Sequence, residues 1–404
     1  MKNKLNGKQL NETLILNAIR RYSPISRTDI ARMIGLSGAT VTKFVDNLIQ
    51  AGFVREDGYD DSRGGRRPTL LKLVPEANFA VGVELGAANL RAVVVNLEAK
   101  IVTKIAKKTK ADEGKEKVFK RITEIIHQVI DASGVEREKI KGIGIGISGI
   151  VDHQKGICLF CPNIKGWENV PIKKLMEEEF GMAVSVDDSS RMAALAEHWC
   201  GLARKVENFI FVNVGVGMGS GIFTNGQLYR GSRGTAGELG HTTIDENGPR
   251  CQCGNRGCLE TLVCGPAIVR RARERLEEGV VSLVNKMSGG DFAKITPELI
   301  AEAARKGDKL AFNIMEKTGQ YLGTGIANAV NLFNPELVII GAGISRAGDL
   351  FLDAVKRTVK ARALHTASTS VDIKLSELGD TTAAQGTAIL VLKSIFKSYV
   401  NTRI

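Results

Sequence analysis

No stretch of the 404 residues is apolar for long enough to cross a bilayer, which needs about 20 consecutive apolar residues. The first ten residues, MKNKLNGKQL, lack the hydrophobic core of a secretory signal. No membrane association is expected, and the expected compartment is the cytoplasm. Cysteine is scarce, seven in all, and in a reducing compartment thiols serve packing or metal rather than disulfides. Cys158 and Cys161 form a C-x-x-C inside the apolar run ICLFCP and read as buried packing residues. Cys200 and Cys264 read as core thiols.

The other three cysteines fall together. Cys251, Cys253 and Cys258 lie with His241 in GELGHTTIDENGPRCQCGNRGCLE, residues 237–260. His plus Cys-x-Cys-x4-Cys places four soft or borderline donors within eighteen residues, which suits one structural, tetrahedral Zn2+ per chain. Gly254 and Gly257 allow the tight backbone that brings the sulfurs to one ion. Glu238 and Glu260 flank the cluster, and neither is needed as a ligand. Two readings are open: a metal-braced wall that turns acids toward a polyol, or a zinc knuckle with two solvated glutamates.

The hydrophobic content of 43% and charged content of 25% are those of a globular protein, and the length suits two or three domains. The net charge is +12, and residues 1–74 carry 13 Lys and Arg against 7 Asp and Glu, or +6. Half the excess thus sits in under a fifth of the chain, the footprint of a phosphate-backbone binder or of an inert basic face. Within it, Leu10, Leu14, Ile15, Ala18 and Ile19 share one helical face. Ser26 and Asp29 form a capping box for a second helix, which Gly35 ends. Ser37 caps a third, with Val41, Phe44, Val45, Leu48 and Ile49 at helical spacing up to Gly52. The opposite face of that third helix carries Ala39, Thr40, Thr42 and Lys43, suited to meeting base edges. Two strands, 53–56 and 69–74, flank DGYDDSRGGRRP, a wing whose Arg63, Arg66 and Arg67 are placed to reach phosphates or a minor groove. Small helical triads also dock proteins, but the basic wing favours double-stranded DNA.

Beyond Pro75 the pattern is duplicated. Phe79–Leu85, a small-residue turn, Leu90–Val95 and Ile101–Lys107 have a counterpart in FIFVNVG, VGMGSG and IFTNGQLYRG from Phe209. A helix over 116–132 leads to the strand KGIGIGISG; a helix over 310–332 leads to ELVIIGAG. Two such lobes facing each other make a cleft. Gly86, Gly215, Gly217, Gly219 and Gly341 mark strand-end turns whose free N–H groups suit phosphate, although glycine also marks plain tight turns.

Taken together, these residues resemble the ROK family (repressors, open reading frames and sugar kinases) along nearly the whole chain. The resemblance rests on the helix-turn-helix and GRRP wing, GISGIVD, Pro162–Trp167 as PN-x3-W, GVGMGSGI, GELGH and CQCGNRGCLE. It implies an α/β chain, a winged helix-turn-helix followed by a duplicated actin/hexokinase-like, ribonuclease H-like body. It implies that Glu238, His241 and Glu260 face a sugar while His241 and the three cysteines hold zinc. The kinase members carry D-x-G-G-T-K in the first turn; here it reads Glu84, Leu85, Gly86, Ala87, Ala88, Asn89. The Thr and Lys are gone, and the methyl groups of Ala87 and Ala88 crowd phosphate oxygens. The Asn-Asp pair that supplies their general base falls on Asp188 and Ser189, and a serine alone takes no proton at neutral pH. A register slip of one would put Asp187 or Asp188 there. Asp188 and Ser189 can still bind a sugar, and Ser148, Gly149 and Asn163 are further polar candidates or plain loop residues.

The expected division is residues 1–75 for DNA, 76–200 for a first lobe completed by helix 383–400, and 201–382 for a second lobe with the metal. The expected function is a sugar-responsive DNA-binding regulator, a repressor acting as a homodimer or homotetramer, that binds a monosaccharide or derivative without phosphorylating it. The alternative is a sugar kinase with a DNA-binding arm.

Overall fold

The computed structural model describes residues 7–60 and 67–398. At the N-terminus, α1 (Gly7–Tyr22) leads through the two-residue β1 (Ile25–Ser26) to α2 (Arg27–Ile34) and α3 (Gly38–Gln50). Ser26 accepts the Asp29 N–H and Ser37 accepts the Thr40 N–H, and each such cap is worth about 1 kcal/mol. Gly35 ends α2 in the left-handed region at φ 68°. A hairpin of β2 (Val54–Tyr59) and β3 (Thr69–Leu73) completes the module, with β1 on the other edge of β3. This is a winged helix-turn-helix.

The buried face of α1 departs from expectation. Leu14 is 40% exposed, whereas Leu16, outside the expected stripe, is buried beside Ile15, Ala18 and Ile19. The helix has a second neighbour that the local pattern cannot show. Its Thr13 hydroxyl donates to the Phe396 carbonyl near the end of the chain, and one continuous core joins α1 and α3 to that end.

The body contains two five-stranded sheets. The first holds β4 (Phe79–Leu85), β5 (Asn89–Asn96), β6 (Ile101–Lys108), β7 (Ile140–Ile147) and, later, β11 (Val184–Asp188). Between them come α4 (Lys115–Ser133), a small sheet of β8 (Ile150–Asp152), β9 (Ile157–Phe160) and β10 (Glu168–Val170), and α5 (Ile172–Phe180). Helix α6 (Ser189–Cys200) follows β11 and leads to the second sheet. That sheet holds β12 (Phe209–Val214), β13 (Met218–Thr224), β14 (Gln227–Tyr229), β15 (Leu337–Gly341) and β16 (Asp372–Leu375).

In each sheet the first strand pairs antiparallel with the second and parallel with the fourth, and the spatial order by sequence is third, second, first, fourth, fifth. The two lobes thus share one topology, as expected of a duplication. Helices α7 (Leu259–Val263), α8 (Gly265–Glu277), α9 (Leu283–Met287), α10 (Pro297–Arg305), α11 (Lys309–Phe333), α12 (Asp349–Arg362) and α13 (His365–Ser370) build the second lobe. The last helix, α14 (Thr382–Ser398), returns to the first sheet. A β-carbon at Gly144 of β7 would stand 2.0 Å from the Thr387 carbonyl, so only glycine lets α14 lie this close. Among the described residues no helix is long and apolar enough to cross a membrane.

Candidate functional site

A cleft of about 1520 Å³ opens between the lobes. One side is lined by the β4–β5 turn (Glu84 and Gly86 to Asn89), by Ser148, Gly149 and Asn163, and by Asp188 at the head of α6. The other is lined by Gly215, Gly217, Gly219, Glu238, His241 and Glu260. Residues far apart in sequence that were expected at one site therefore meet in one cavity.

Ser189 is the exception. It is 1% exposed and does not line the cleft; its hydroxyl lies 3.4 Å from that of Ser148. In its place Ser190 and Arg191 face the cleft. The first turn of a helix splays successive side chains by about 100°, and α6 docks with Ser189 inward against Gly146, whose β-carbon would stand 3.5 Å from the Ser189 Cα.

Asp188 caps α6 by accepting the Arg191 N–H at 2.9 Å. Burial in the cleft wall pushes its carboxyl up to about 6. Asp187, its neighbour, turns the other way and is fully buried. Its two oxygens accept Arg191 Nε at 2.8 Å and Arg230 Nη2 at 2.7 Å. Burial works to raise the Asp187 carboxyl, but Arg191 and Arg230 together hold it below its ordinary value. Arg191 also donates to the Gly234 carbonyl at 2.9 Å, so this ion-paired knot ties α6 to the loop after β14. Removing one member of such a buried knot costs about 3–5 kcal/mol. Both Asp187 oxygens are thereby engaged by arginines.

Across the cleft, the Glu238 carboxylate makes no hydrogen bond among the described residues and faces the cavity, while its backbone carbonyl accepts the His241 N–H at 3.0 Å. Glu260 is less free than expected: Oε2 accepts the Met218 N–H at 2.8 Å. His241, between them, belongs to both the cleft and the metal cluster. Its Nδ1 lies 3.6 Å from Cys251 Sγ, and Cys253 Sγ lies 3.7 Å from Cys258 Sγ. All four donor atoms fall within 4.8 Å of one another. Zinc–sulfur bonds of about 2.3 Å give a tetrahedral sulfur–sulfur edge of about 3.8 Å, so the donor set fits one metal ion in size and chemistry. Gly257 (φ 61°) makes the closure possible, since its amide and carbonyl bind Pro249 and Ile244 across the loop. Of the other thiols, Cys158, Cys161 and Cys264 are buried, and Cys200 is only partly so.

On the phosphate side, Arg91 Nη1 donates to the Glu84 carboxylate at 3.1 Å, and Arg91 Nε stands 3.7 Å from Asp380. Burial pushes the Glu84 carboxyl up although Arg91 opposes it. No sequence pattern pointed to Arg91, Asp380 or Lys108 as cleft residues; they come from β5 inside the first sheet, from the turn before α14 and from the end of the edge strand β6.

In the N-terminal module, Ala39, Thr42 and Lys43 of α3 are exposed, while Ser37 and Thr40 spend their hydroxyls on each other at 2.8 Å. The acidic residues nearby are neutralised. Arg27 pairs with Asp46 and Glu56, and Lys72 holds Asp57 at 2.5 Å. Among the described residues that leaves Lys43, and Arg67 on the wing, as exposed cations without an ion pair in this module. Arg63 and Arg66 lie outside the described residues.

Residues 80–394 match the ROK family, and residues 10–55 match a winged helix-turn-helix DNA-binding model. The xylose repressor of Caldicellulosiruptor bescii is 34% identical over 96% of this chain and 96% of its own. The N-acetylglucosamine repressor of Escherichia coli O6:H1 is 34% identical over 96% of this chain and 93% of its own. The crystal structure of a ROK family transcriptional regulator, a homolog of the E. coli MLC protein, superposes with a TM-score of 0.83 at 27% identity, covering 98% of each chain. Sugar kinases of the same family also superpose, over 78% of this chain.

Proposed function

The chain belongs to the ROK family and is a sugar-responsive DNA-binding repressor; we propose that its effector is a monosaccharide or derivative, held between the lobes and not phosphorylated there. The observation that carries this reading is the position of His241. It stands in the metal cluster and in the cleft wall at once, flanked there by Glu238 and Glu260. With Nδ1 turned to the sulfur, its second ring nitrogen is left for a hydroxyl. Glu238, Glu260 and Asp188 are acceptors for further hydroxyls, and Ser148, Gly149 and Asn163 close the opposite side.

The metal is zinc, one per chain, held by His241, Cys251, Cys253 and Cys258. It supplies no chemistry to a substrate; it fixes the segment that carries Glu238, His241 and Glu260. Phosphoryl transfer lacks its parts. Glu84 is engaged by Arg91, Ala87 and Ala88 line the turn where phosphate would sit, and Ser189 is out of the cleft. The same glycine turns, 86 and 215 to 219, remain as walls of the cavity.

The winged helix reads duplex DNA with Ala39, Thr42 and Lys43 against base edges and Arg67 on the backbone, and Arg63 and Arg66 are further cations for phosphate. It works in the cytoplasm as a homodimer or homotetramer, because operators repeat half-sites a helical turn or a multiple apart. Sugar and operator are linked, so each alters the affinity for the other by one factor. A thermal-shift panel of D-xylose, D-glucose and N-acetyl-D-glucosamine tests the cleft. A melting point that rises with the logarithm of one sugar's concentration is expected; a flat response to hexoses, pentoses and their N-acetyl and phosphate derivatives contradicts it.

A further inference from the structure

Helix α6 begins in the cleft and ends at the DNA-binding module. At its head, Asp188, Ser190, Arg191 and Ala193 line the cavity. Twelve residues of α-helix span about 18 Å, and at the far end stands Trp199, which is not a cleft residue. The Arg20 guanidinium of α1 lies over the Trp199 ring, its Cζ 3.6 Å from the centroid. Phe396 of α14 packs tilted against the same ring at 5.7 Å. One turn further on, Arg204 donates to the Arg21 carbonyl at 3.1 Å.

The helix has no slack along this path. Every residue from Ser189 to Glu197 is buried. On one side a β-carbon at Gly221 of β13 would stand 2.5 Å from Ala194 Cβ. On the other, one at Gly386 of α14 would stand 1.7 Å from the Met192 carbonyl. The helix is thus wedged between an element of the second lobe and one that packs on the first. Close-packed contacts of this kind shift between discrete arrangements instead of deforming smoothly. A change in the angle between the lobes moves α6.

The contact at the far end suits a coupling that is made and broken. Among the described residues Arg20 has no ion pair, and its Nε has no hydrogen-bond partner. Its guanidinium is instead crowded by Arg21 and Arg204; burial and then those two charges lower its pKa to about 10. Stacking on Trp199 offsets that repulsion, and stacking depends on geometry: the cation must stay within about 6 Å of the ring centroid. Behind Arg20, Ile15 and Ile19 of α1 share a core with Val41, Phe44 and Val45 of α3. A displacement of α1 therefore carries the DNA-reading helix with it.

We propose that α6 is the relay between the sugar cleft and the DNA-binding module, and that Arg20 and Trp199 are the positioning residues through which it acts. The relay rests on the effector reading of the cleft, with Asp188 serving as both sugar acceptor and helix cap.

The test uses the full chain and a duplex selected by it from a random-sequence pool. D-xylose, D-glucose, N-acetyl-D-glucosamine and N-acetyl-D-glucosamine 6-phosphate serve as probes. In the wild type, the probe that raises the melting point should change DNA affinity about tenfold. In Arg20→Gln and in Trp199→Leu that change should fall below about twofold, with the thermal-shift midpoint for the probe within about twofold of wild type. Fluorine NMR of the wild type grown with 5-fluorotryptophan guards against misfolded variants. The Trp199 resonance, assigned by Trp199→Phe, should move when the probe binds. A full sugar response in Arg20→Gln, or a stationary Trp199 resonance in protein saturated with the probe, overturns the relay and leaves the sugar site standing. Absence of any probe binding to the wild type overturns the cleft reading itself, and the relay with it.

Discussion

Arg91 of β5 donates a hydrogen bond at 3.1 Å to Glu84, its cross-strand partner on β4, beside the turn whose kinase counterpart is D-x-G-G-T-K. The carboxylate that a divalent cation would need is already taken by a guanidinium, with Asp380 at 3.7 Å on its other side. Stripping this pair apart to admit nucleotide would cost a half-buried ion pair before any phosphate contact formed. A coupled assay of ADP release is therefore expected to stay at background for ATP with D-xylose, D-glucose or N-acetyl-D-glucosamine. Ser189→Asp should not change this, since position 189 faces away from the cleft. Sustained, sugar-dependent turnover in either protein would contradict the account.

The metal cluster gives a second prediction. Purified protein should carry about one zinc per chain by elemental analysis. Cys251→Ser should lose most of it and melt at a lower temperature, because a buried donor that closes the 241–258 loop is removed. Unchanged zinc content in the variant would refute the ligand assignment.

Glu238→Gln tests the cleft wall. The carboxylate feels the charge of Arg191 but makes no hydrogen bond to the ion-paired knot around Asp187 or to the DNA module, so DNA affinity should stay within about twofold of wild type. The melting-point response to the effector sugar should fall by an amount equivalent to at least about tenfold in affinity, the worth of a charge-assisted hydrogen bond. Retention of the full response would place the sugar elsewhere.

On the DNA side, Lys43→Ala and Arg67→Ala should each weaken binding. If a cation meets a phosphate, its removal reduces the slope of log affinity against log salt by about 0.9. Arg67 is expected to show that change because the wing meets the backbone. Lys43 is expected to alter sequence preference, since it lies on the exposed face of α3. An unchanged salt slope in Arg67→Ala would separate the wing from the phosphates.

The raised pKa of Asp188 makes a pH prediction. A carboxyl whose folded value is about 6 instead of 3.8 binds its proton more tightly in the folded state. Its contribution to stability is fully present below the ordinary value and is lost as pH rises through about 6. Asp188→Asn mimics the protonated form and still caps α6. The variant should melt above the wild type at about pH 7.5 and lose that advantage toward about pH 4. A lower melting point at both would show that the carboxylate stabilises the helix head as an anion.

Much of this was legible in the sequence, for identifiable reasons. The two glycine-turn hairpins disclosed the duplication because each lobe begins with the same local event. Ser26 and Ser37 disclosed their helices because capping is settled within three residues. The metal set was visible because three of its four donors lie in one short loop. What failed to show depends on contacts between distant segments. Ser190 and Arg191, not Ser189, face the cleft because α6 is rotated by its packing on β7 and α14. Leu16 is buried and Leu14 is not, because α1 leans on the far end of the chain. Arg91 met Glu84 only once two strands had paired in register.

One titration bears on the central claim most directly: affinity for the selected duplex, measured with and without each saturating monosaccharide, in the wild type and in Glu238→Gln. The account predicts one sugar that shifts wild-type affinity about tenfold and leaves the variant's within about twofold. No shift with any sugar, or an equal shift in both proteins, would contradict it.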